Sequence, residues 1–403
     1  MTKLDKLIQE LCPDGVKYKA LGEICKLVTG ATPSKTNAAY WENGTIPWMS
    51  SGEVNLKRVA ATEKKITQLG YEKSSTTIVP KHSVVIALAG QGKTRGKAAI
   101  TEIELCTNQS LCSMICNENL DYKFLYYILD GKYEELRAIS NGDGTRGGLS
   151  LKILAPYKIP VPPLPVQREI VRILDNFTEL TAELTAELTA RKQQYAYYRD
   201  KLLADSKTVP QIKLSELCDI GDGLHGTPIY DDNGQYYFIN GNNLSNGTIT
   251  LSPQTKRIAR DEYEKIKLSF SDTVLLSING TIGNVAVYGG ENIALGKSVA
   301  YFNISSENLF CKYLFYVLQS SRSVEYFRKN STGTTIKNLG LSTLRDYQIP
   351  LPSLEIQKRI VEVLDNFDAI CTDLNIGLPA EIEARQKQYE YYRDKLLTFT
   401  PAD

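Results

Sequence analysis

Apolar residues at Ile170, Ile173, Phe177, Leu180, Leu184, Leu188, Tyr195 and Leu202 recur at intervals of three, four and seven. That spacing lays one apolar stripe along one face of a long helix, suited to packing beside another. Unbroken from Val166 to Leu203, such a helix extends about 57 Å at 1.5 Å per residue. It is a spacer rather than a compact domain. A second stripe follows Ile360, Val363, Phe367, Ile370 and Leu374. There Gly377 and Pro379 predict a stop and a restart, because glycine ends helices and proline suits a first turn. The Pro-rich stretches before the stripes, Pro160 to Pro165 and Pro350 to Pro352, predict extended chain.

Ahead of each stripe the period changes. Val84 to Leu88 and Leu111 to Cys116 predict strands, followed by a helix over Tyr122 to Arg137. Val274 to Ile278 and Val299 to Ile304 predict strands again, followed by a helix over Leu309 to Phe327. The order repeats because the sequence repeats. IPVPPLPVQREIVRILDNF from Ile159 and IPLPSLEIQKRIVEVLDNF from Ile349 share eleven of nineteen positions. ARKQQYAYYRDKLL ending at Leu203 and ARQKQYEYYRDKLL ending at Leu397 share eleven of fourteen. A fainter echo relates Leu21, Glu23, Ile24 and Cys25 to Leu214, Glu216, Leu217 and Cys218. The chain therefore reads as variable segment, repeat block, variable segment, repeat block. The offset between copies changes from 190 to 194, a difference of four residues. The first block contains ELTAELTAELTA, Glu179 to Ala190. One four-residue unit lengthens a helix by about 6 Å and turns it by a net 40° or so, close to the twist of a base-pair step. The same residues also make an ordinary surface helix, since Ala, Leu and Glu are good helix formers.

Composition narrows the picture. A length of 403 residues predicts two or more domains, and 42% hydrophobic with 23% charged residues is ordinary for a folded chain. The net charge of +1 argues against a protein that grips nucleic acid alone, because phosphate neutralisation supplies much of such affinity. Lys3, Asp5 and Lys6 interrupt the apolar residues at the N-terminus, so neither a signal peptide nor a membrane span is expected, and a soluble cytoplasmic protein is. The eight cysteines include one cluster, Cys106, Cys112 and Cys116, without metal-ligand spacing. Reduced, mostly buried thiols are the expectation.

ALAGQGKT, Ala87 to Thr94, resembles a phosphate-binding loop. Such a loop must open a helix, whereas Arg95, Gly96 and AAI predict another strand. Lys93, Arg95 and Lys97, three cations within five residues, instead suit a DNA backbone or a solvated strand connection. NGDGTRGG from Asn141 offers Thr145 and Arg146, and NSTGTTIKNLG from Asn330 offers Thr334 and Lys337. These glycine-rich loops suit either DNA contact or domain-closing turns. Ser34, Lys35 and Ser51 around GATPSKTNAAYWENGTIPW, and Asn243, Asn279 and Thr281 in the second segment, complete the candidate DNA contacts. The tryptophans suit a core or a loop anchor. His225 lacks a partner cluster, and Asp231 and Asp232 beside Asn233 read as a polar turn. No catalytic, cofactor or metal-binding residues emerge.

The duplicated LDNF and YYRDKLL blocks, TPS...YWENGTIPW and DGLHGTP...FINGNN together resemble the specificity subunit of Type I restriction-modification enzymes over essentially the whole chain. ELTAELTAEL resembles the short-repeat form of one subgroup, where the number of TAEL units is tied to the length of the unread DNA spacer. The resemblance implies an α/β fold: two globular target-recognition domains, 1–155 and 206–345, separated by two long antiparallel helical spacers, 156–205 and 346–403, with pseudo-two-fold symmetry and neighbouring termini. It implies a noncatalytic subunit that reads a bipartite, asymmetric stretch of double-stranded DNA and positions two methyltransferase subunits and motor-nuclease subunits. Those partners use S-adenosylmethionine, ATP and Mg2+, and the methyltransferases rotate the target adenine out of the duplex. Phe177, Leu184, Leu188, Tyr195, Tyr198, Phe367, Tyr389 and Tyr392 then serve partner contact or the helical seam. A two-lobed protein scaffold without sequence preference is the competing reading.

Overall fold

The computed structural model describes residues 2–90, 94–140, 148–204, 209–245, 247–373 and 376–402. They form two compact units, one of residues 1–183 with 383–403 and one of residues 184–382. Each unit therefore holds one variable segment, the start of the helical block that follows it, and the end of the other block.

In the first unit a five-stranded sheet runs in the order Cys25–Thr29, Leu111–Cys116, Val84–Ala87, Ala98–Thr101, Arg58–Val59. Its central strands are mostly apolar because both faces are covered. Val84, Ile86, Ile100 and Met114 enter a core with the helix Tyr122–Gly131, while Val85, Ala87, Ala99 and Leu111 enter a second core on the other face. Burying a valine, isoleucine, leucine or methionine in this way stabilises by roughly 1.5–3 kcal/mol each. A three-stranded sheet, Lys64–Ile66, Ile46–Met49, Cys106–Thr107, completes the lobe.

The second unit repeats this plan. A sheet ordered Cys218–Asp222, Val299–Ile304, Thr273–Ser277, Val285–Val287 again separates two cores, and Arg257–Ile258, Tyr236–Ile239, Ile293–Leu295 form the small sheet. Both small sheets pair their middle strand antiparallel on one side and parallel on the other. The second domain has a short hairpin, Leu244–Ser245 with Thr248–Ile249, and where the first domain has its fifth strand it makes a single parallel bridge, Gly247 to Ala286.

Two predicted helices are broken. Tyr122 to Arg137 divides into Tyr122–Gly131 and Tyr133–Ala138 around Lys132, whose ψ of 13° leaves the helical basin. Leu309 to Phe327 divides into Cys311–Gln319 and Ser321–Asn330 at Ser320, which is extended and accepts a hydrogen bond from the Ser323 amide. The phosphate-loop resemblance also ends in geometry. Val84–Ala87 leads back through Thr94–Lys97 into the antiparallel strand Ala98–Thr101, not into a helix.

Both Pro-rich stretches begin in strands, Lys158–Pro160 and Gln348–Pro350, which pair with Tyr18–Ala20 and Gln211–Lys213. The first stops short of its expected end, because Leu164 and Pro165 already form the first turn of the helix. The central helix spans Leu164–Leu202, 39 residues, or about 58 Å. The C-terminal block forms Leu354–Thr372 and Leu378–Leu396, with Pro379 in the first turn of the latter. The C-terminal block is the longer by four residues, counted from Ile159 to Leu203 and from Ile349 to Leu397, and it is the interrupted one. No described helix is long and apolar enough to cross a membrane. All eight cysteines are free, and six are buried. The termini meet in the first unit, where the Val16 amide donates to Thr400 and the Ala402 amide to Val16.

Candidate nucleic-acid interface

Each variable domain is locked to its helix by the same few residues. Gln167 is fully buried; its amide donates to the Asn119 carbonyl at 2.9 Å and the Pro162 carbonyl at 2.7 Å, and its oxygen accepts from the Asp121 amide at 2.8 Å. Gln357, also fully buried, donates to Asn308 and Pro352 at 2.8 Å and accepts from Phe310 at 2.9 Å. About two turns further on, the aspartates of the LDNF motifs take a tyrosine and a lysine each. Asp175 accepts from Tyr127 at 2.6 Å and pairs with Lys123; Asp365 accepts from Tyr316 and pairs with Lys312. Burial, then these carboxylates, push both tyrosine hydroxyls above their ordinary range.

The YYRDKLL motifs pack beside these same anchors. In the first unit Tyr392 stacks on Phe177 with centroids 5.4 Å apart, and Tyr389 is buried beside Tyr127 with Arg393 ion-paired to Asp130. In the second unit Tyr198 stacks on Phe367 at 5.8 Å, and Tyr195 packs against the core beneath Arg199. Leu184 and Leu188 are half-buried. Thus Phe177, Tyr195, Tyr198, Phe367, Tyr389 and Tyr392 pack within their units. Tyr197 and Tyr391 instead stand out, 61% and 62% exposed, each with a lysine one turn on, Lys201 or Lys395, near its ring face. Matching exposure and matching cations make these two a repeated surface.

The family described as "Type I restriction modification DNA specificity domain" matches the chain twice, over residues 13–191 and 207–384. The chain belongs to the Type I restriction-modification specificity subunits. It is similar to the EcoR124I/EcoR124II specificity subunit of Escherichia coli, with 30% identity covering 99% of this chain and 97% of that one. Among solved structures, a chain from a study of complex assembly and conformational transition of the type I R-M system aligns with a TM-score of 0.67 at 19% identity, covering 96% and 98% of the two chains. The S subunit from M. genitalium aligns with a TM-score of 0.51 at 15% identity, covering 95% and 96%. As a specificity subunit the chain supplies DNA sequence specificity to a Type I complex and is not itself the enzyme.

The specificity subunit gathers some of the candidate DNA contacts and withdraws others. In the second domain the Gly280 amide donates to the Lys337 carbonyl at 2.9 Å and Asn279 bridges Asn338, so Asn279, Thr281, Thr334 and Lys337 share one loop cluster, with Thr281, Thr334 and Lys337 exposed. Asn243 differs. Its oxygen accepts from the Asn240 amide and its nitrogen donates to Thr250 and Thr255, so its polar atoms fix the loop. In the first domain Ser34 and Lys35 are exposed and Ser51 half-buried at the start of a short 3-10 turn. The expected trio of solvent-facing cations does not hold at Arg95, which is only 8% exposed with Nε lacking a hydrogen-bond partner, because the hairpin turns at Gly96 with φ +86° and folds it inward. Lys97 donates to Asn55 at 2.8 Å. Lys93, Thr145 and Arg146 lie outside the described residues. The anchoring Gln and Asp residues escaped sequence reasoning, although their identity in both repeat blocks was the available signal.

Proposed function

We propose that this specificity subunit reads a bipartite, asymmetric duplex target, one half with each domain, and seats two methyltransferase subunits and, where present, motor-nuclease subunits. The observation that carries this reading is repetition with divergence. The anchors Gln167/Gln357 and Asp175/Asp365 recur, while the loops they support differ. Different loops suit different bases; a repeated exterior suits two copies of one partner. Domains 1–155 and 206–345 are the readers, around Ser34, Lys35 and Ser51 in one and Asn279, Thr281, Thr334 and Lys337 in the other. Segments 156–205 and 346–403 are the spacers, the first of the TAEL type. The partners bind S-adenosylmethionine, ATP and Mg2+ and work in the cytoplasm on genomic DNA. Near-neutral charge fits a subunit whose assembly, rather than its own surface, encloses the duplex.

Tyr197 and Tyr391 are the proposed seats of the two methyltransferases, since exposed tyrosines beside cations are frequent anchors of interfaces. Tyr197→Ala alone is expected to weaken one seat roughly 30-fold, an order-of-magnitude value for a hot-spot tyrosine. Native mass spectrometry of the purified complex then shows one methyltransferase per chain in place of two. A parent complex with a single methyltransferase, or a Tyr197→Ala complex that keeps two at limiting concentration, contradicts the assignment.

A further inference from the structure

The small sheet of each unit carries the same corner, built from different residues. In the first, Trp41 meets buried Trp48 edge-on with centroids 5.1 Å apart at 88°. In the second, Tyr230 meets buried Phe238 edge-on at 6.0 Å and 69°. Trp48 and Phe238 occupy equivalent places on the middle strands, and a lysine lies across from each on the edge strand. Lys64 is in register with Trp48, and the Phe238 amide donates to the Lys256 carbonyl at 2.8 Å. Both lysines are exposed, and Lys256 Nζ lies 5.7 Å from the centroid of the Tyr230 ring. A second cation follows each, Lys65 and Arg257. Gly30 and Gly223 precede the corners and pass so close to the Thr107 and Leu295 carbonyls that neither has room for a Cβ.

The two corners share their architecture while their side chains have diverged, so the partner they serve is common to both domains. Two domains that read different bases still meet one identical feature of the duplex, its phosphate backbone. Charge favours that partner. A groove of about 450 Å³ in the first corner is lined by Lys35, Trp41, Lys64 and Lys65 against one carboxylate, Glu63. Among the described residues of the second, Lys256 is the free cation beside Tyr230, since Arg257 is held over the Tyr237 ring and donates to its hydroxyl, and the nearby Asp231 carboxylate already accepts from the Asn233 amide. An aromatic face beneath an ammonium supports its stem and directs the charge outward.

We infer that the corners Trp41–Lys64–Lys65 and Tyr230–Lys256 clamp DNA phosphates beside the two half-sites, a role that rests on the DNA-specificity reading. They contribute affinity and register, not base identity. The test uses the full chain assembled with its methyltransferase and fluorescence anisotropy on a target duplex and a scrambled duplex over a salt series. In Lys64→Gln with Lys65→Gln, and separately in Lys256→Gln, the slope of log affinity against log salt should flatten by about 0.9 for each phosphate contact removed. The doubly substituted complex should bind about tenfold more weakly at moderate salt, with methylated sequences unchanged. Phosphates carry no sequence, so the flattening is expected on both duplexes. Equal binding of the two duplexes by the parent complex would overturn the specificity reading separately. Unchanged slopes and affinities in all variants overturn the clamp. So does loss of methyltransferase from the variant complexes, which would assign the corners to a protein partner.

Discussion

Deleting Thr181 to Leu184 is expected to shorten the gap between the two half-sites and to leave both half-site sequences unchanged. The segment lies within one uninterrupted helix, Leu164–Leu202, and the division between the two compact units falls inside it, after Glu183. Removing four residues brings Leu188 into the position of Leu184, so the half-buried leucine stripe is preserved while the helix loses about 6 Å and turns by a net 40° or so. Neither domain loses an anchoring contact, because Gln167, Asp175 and Tyr195 lie outside the deletion. A duplex step of ~3.4 Å makes the change worth one to two base pairs. Sites with the parental gap then hold one domain out of register. With each mismatched pair costing about 1–3 kcal/mol, their methylation should fall at least tenfold. Mapping modified bases in cells that express the deleted chain with its methyltransferase gives the gap directly. An unchanged gap, or altered half-sites, contradicts the role of the segment.

Replacing Gln357 with alanine should destabilise the second unit by about 2–4 kcal/mol, the range expected when several buried backbone groups lose their partner together. Three groups are stranded at once: the Phe310 amide and the Asn308 and Pro352 carbonyls. For a unit of this size the melting temperature should fall by roughly 5–12 °C. Gln167→Ala should act likewise on the first unit, through Asp121, Asn119 and Pro162. Calorimetry of the purified chain checks both. A shift below a degree in either variant would mean that water replaces the lost hydrogen bonds and that the glutamine is not the lock.

The parts of the fold legible in the sequence are those where one periodicity runs without interruption. Leu111–Cys116 and Val299–Ile304 have their predicted bounds because short, mostly apolar runs between turns leave little choice. The central helix was legible because its stripe and its Ala, Leu and Glu content agree. The breaks at Lys132 and Ser320 were not, since apolar spacing continues across both and only local backbone geometry ends the helix. At the candidate site the limits are of the same kind. Charge spacing suggested Arg95 as a contact, but burial depends on where a hairpin turns, and Gly96 turns it inward. Asn243 has the right chemistry for a base edge and uses it on its own loop. The aromatic corners needed strand register, which aligns Trp48 with Phe238 and Lys64 with Lys256 and is not apparent from residue identity.

Coexpressing this chain with its methyltransferase in cells devoid of other DNA methylation, then mapping modified bases across the genome by long-read sequencing, tests the central claim. The account predicts one interrupted, asymmetric motif with methylated adenine in both halves. Methylation without sequence preference, or no methylation by a complex that assembles and binds S-adenosylmethionine, would contradict it.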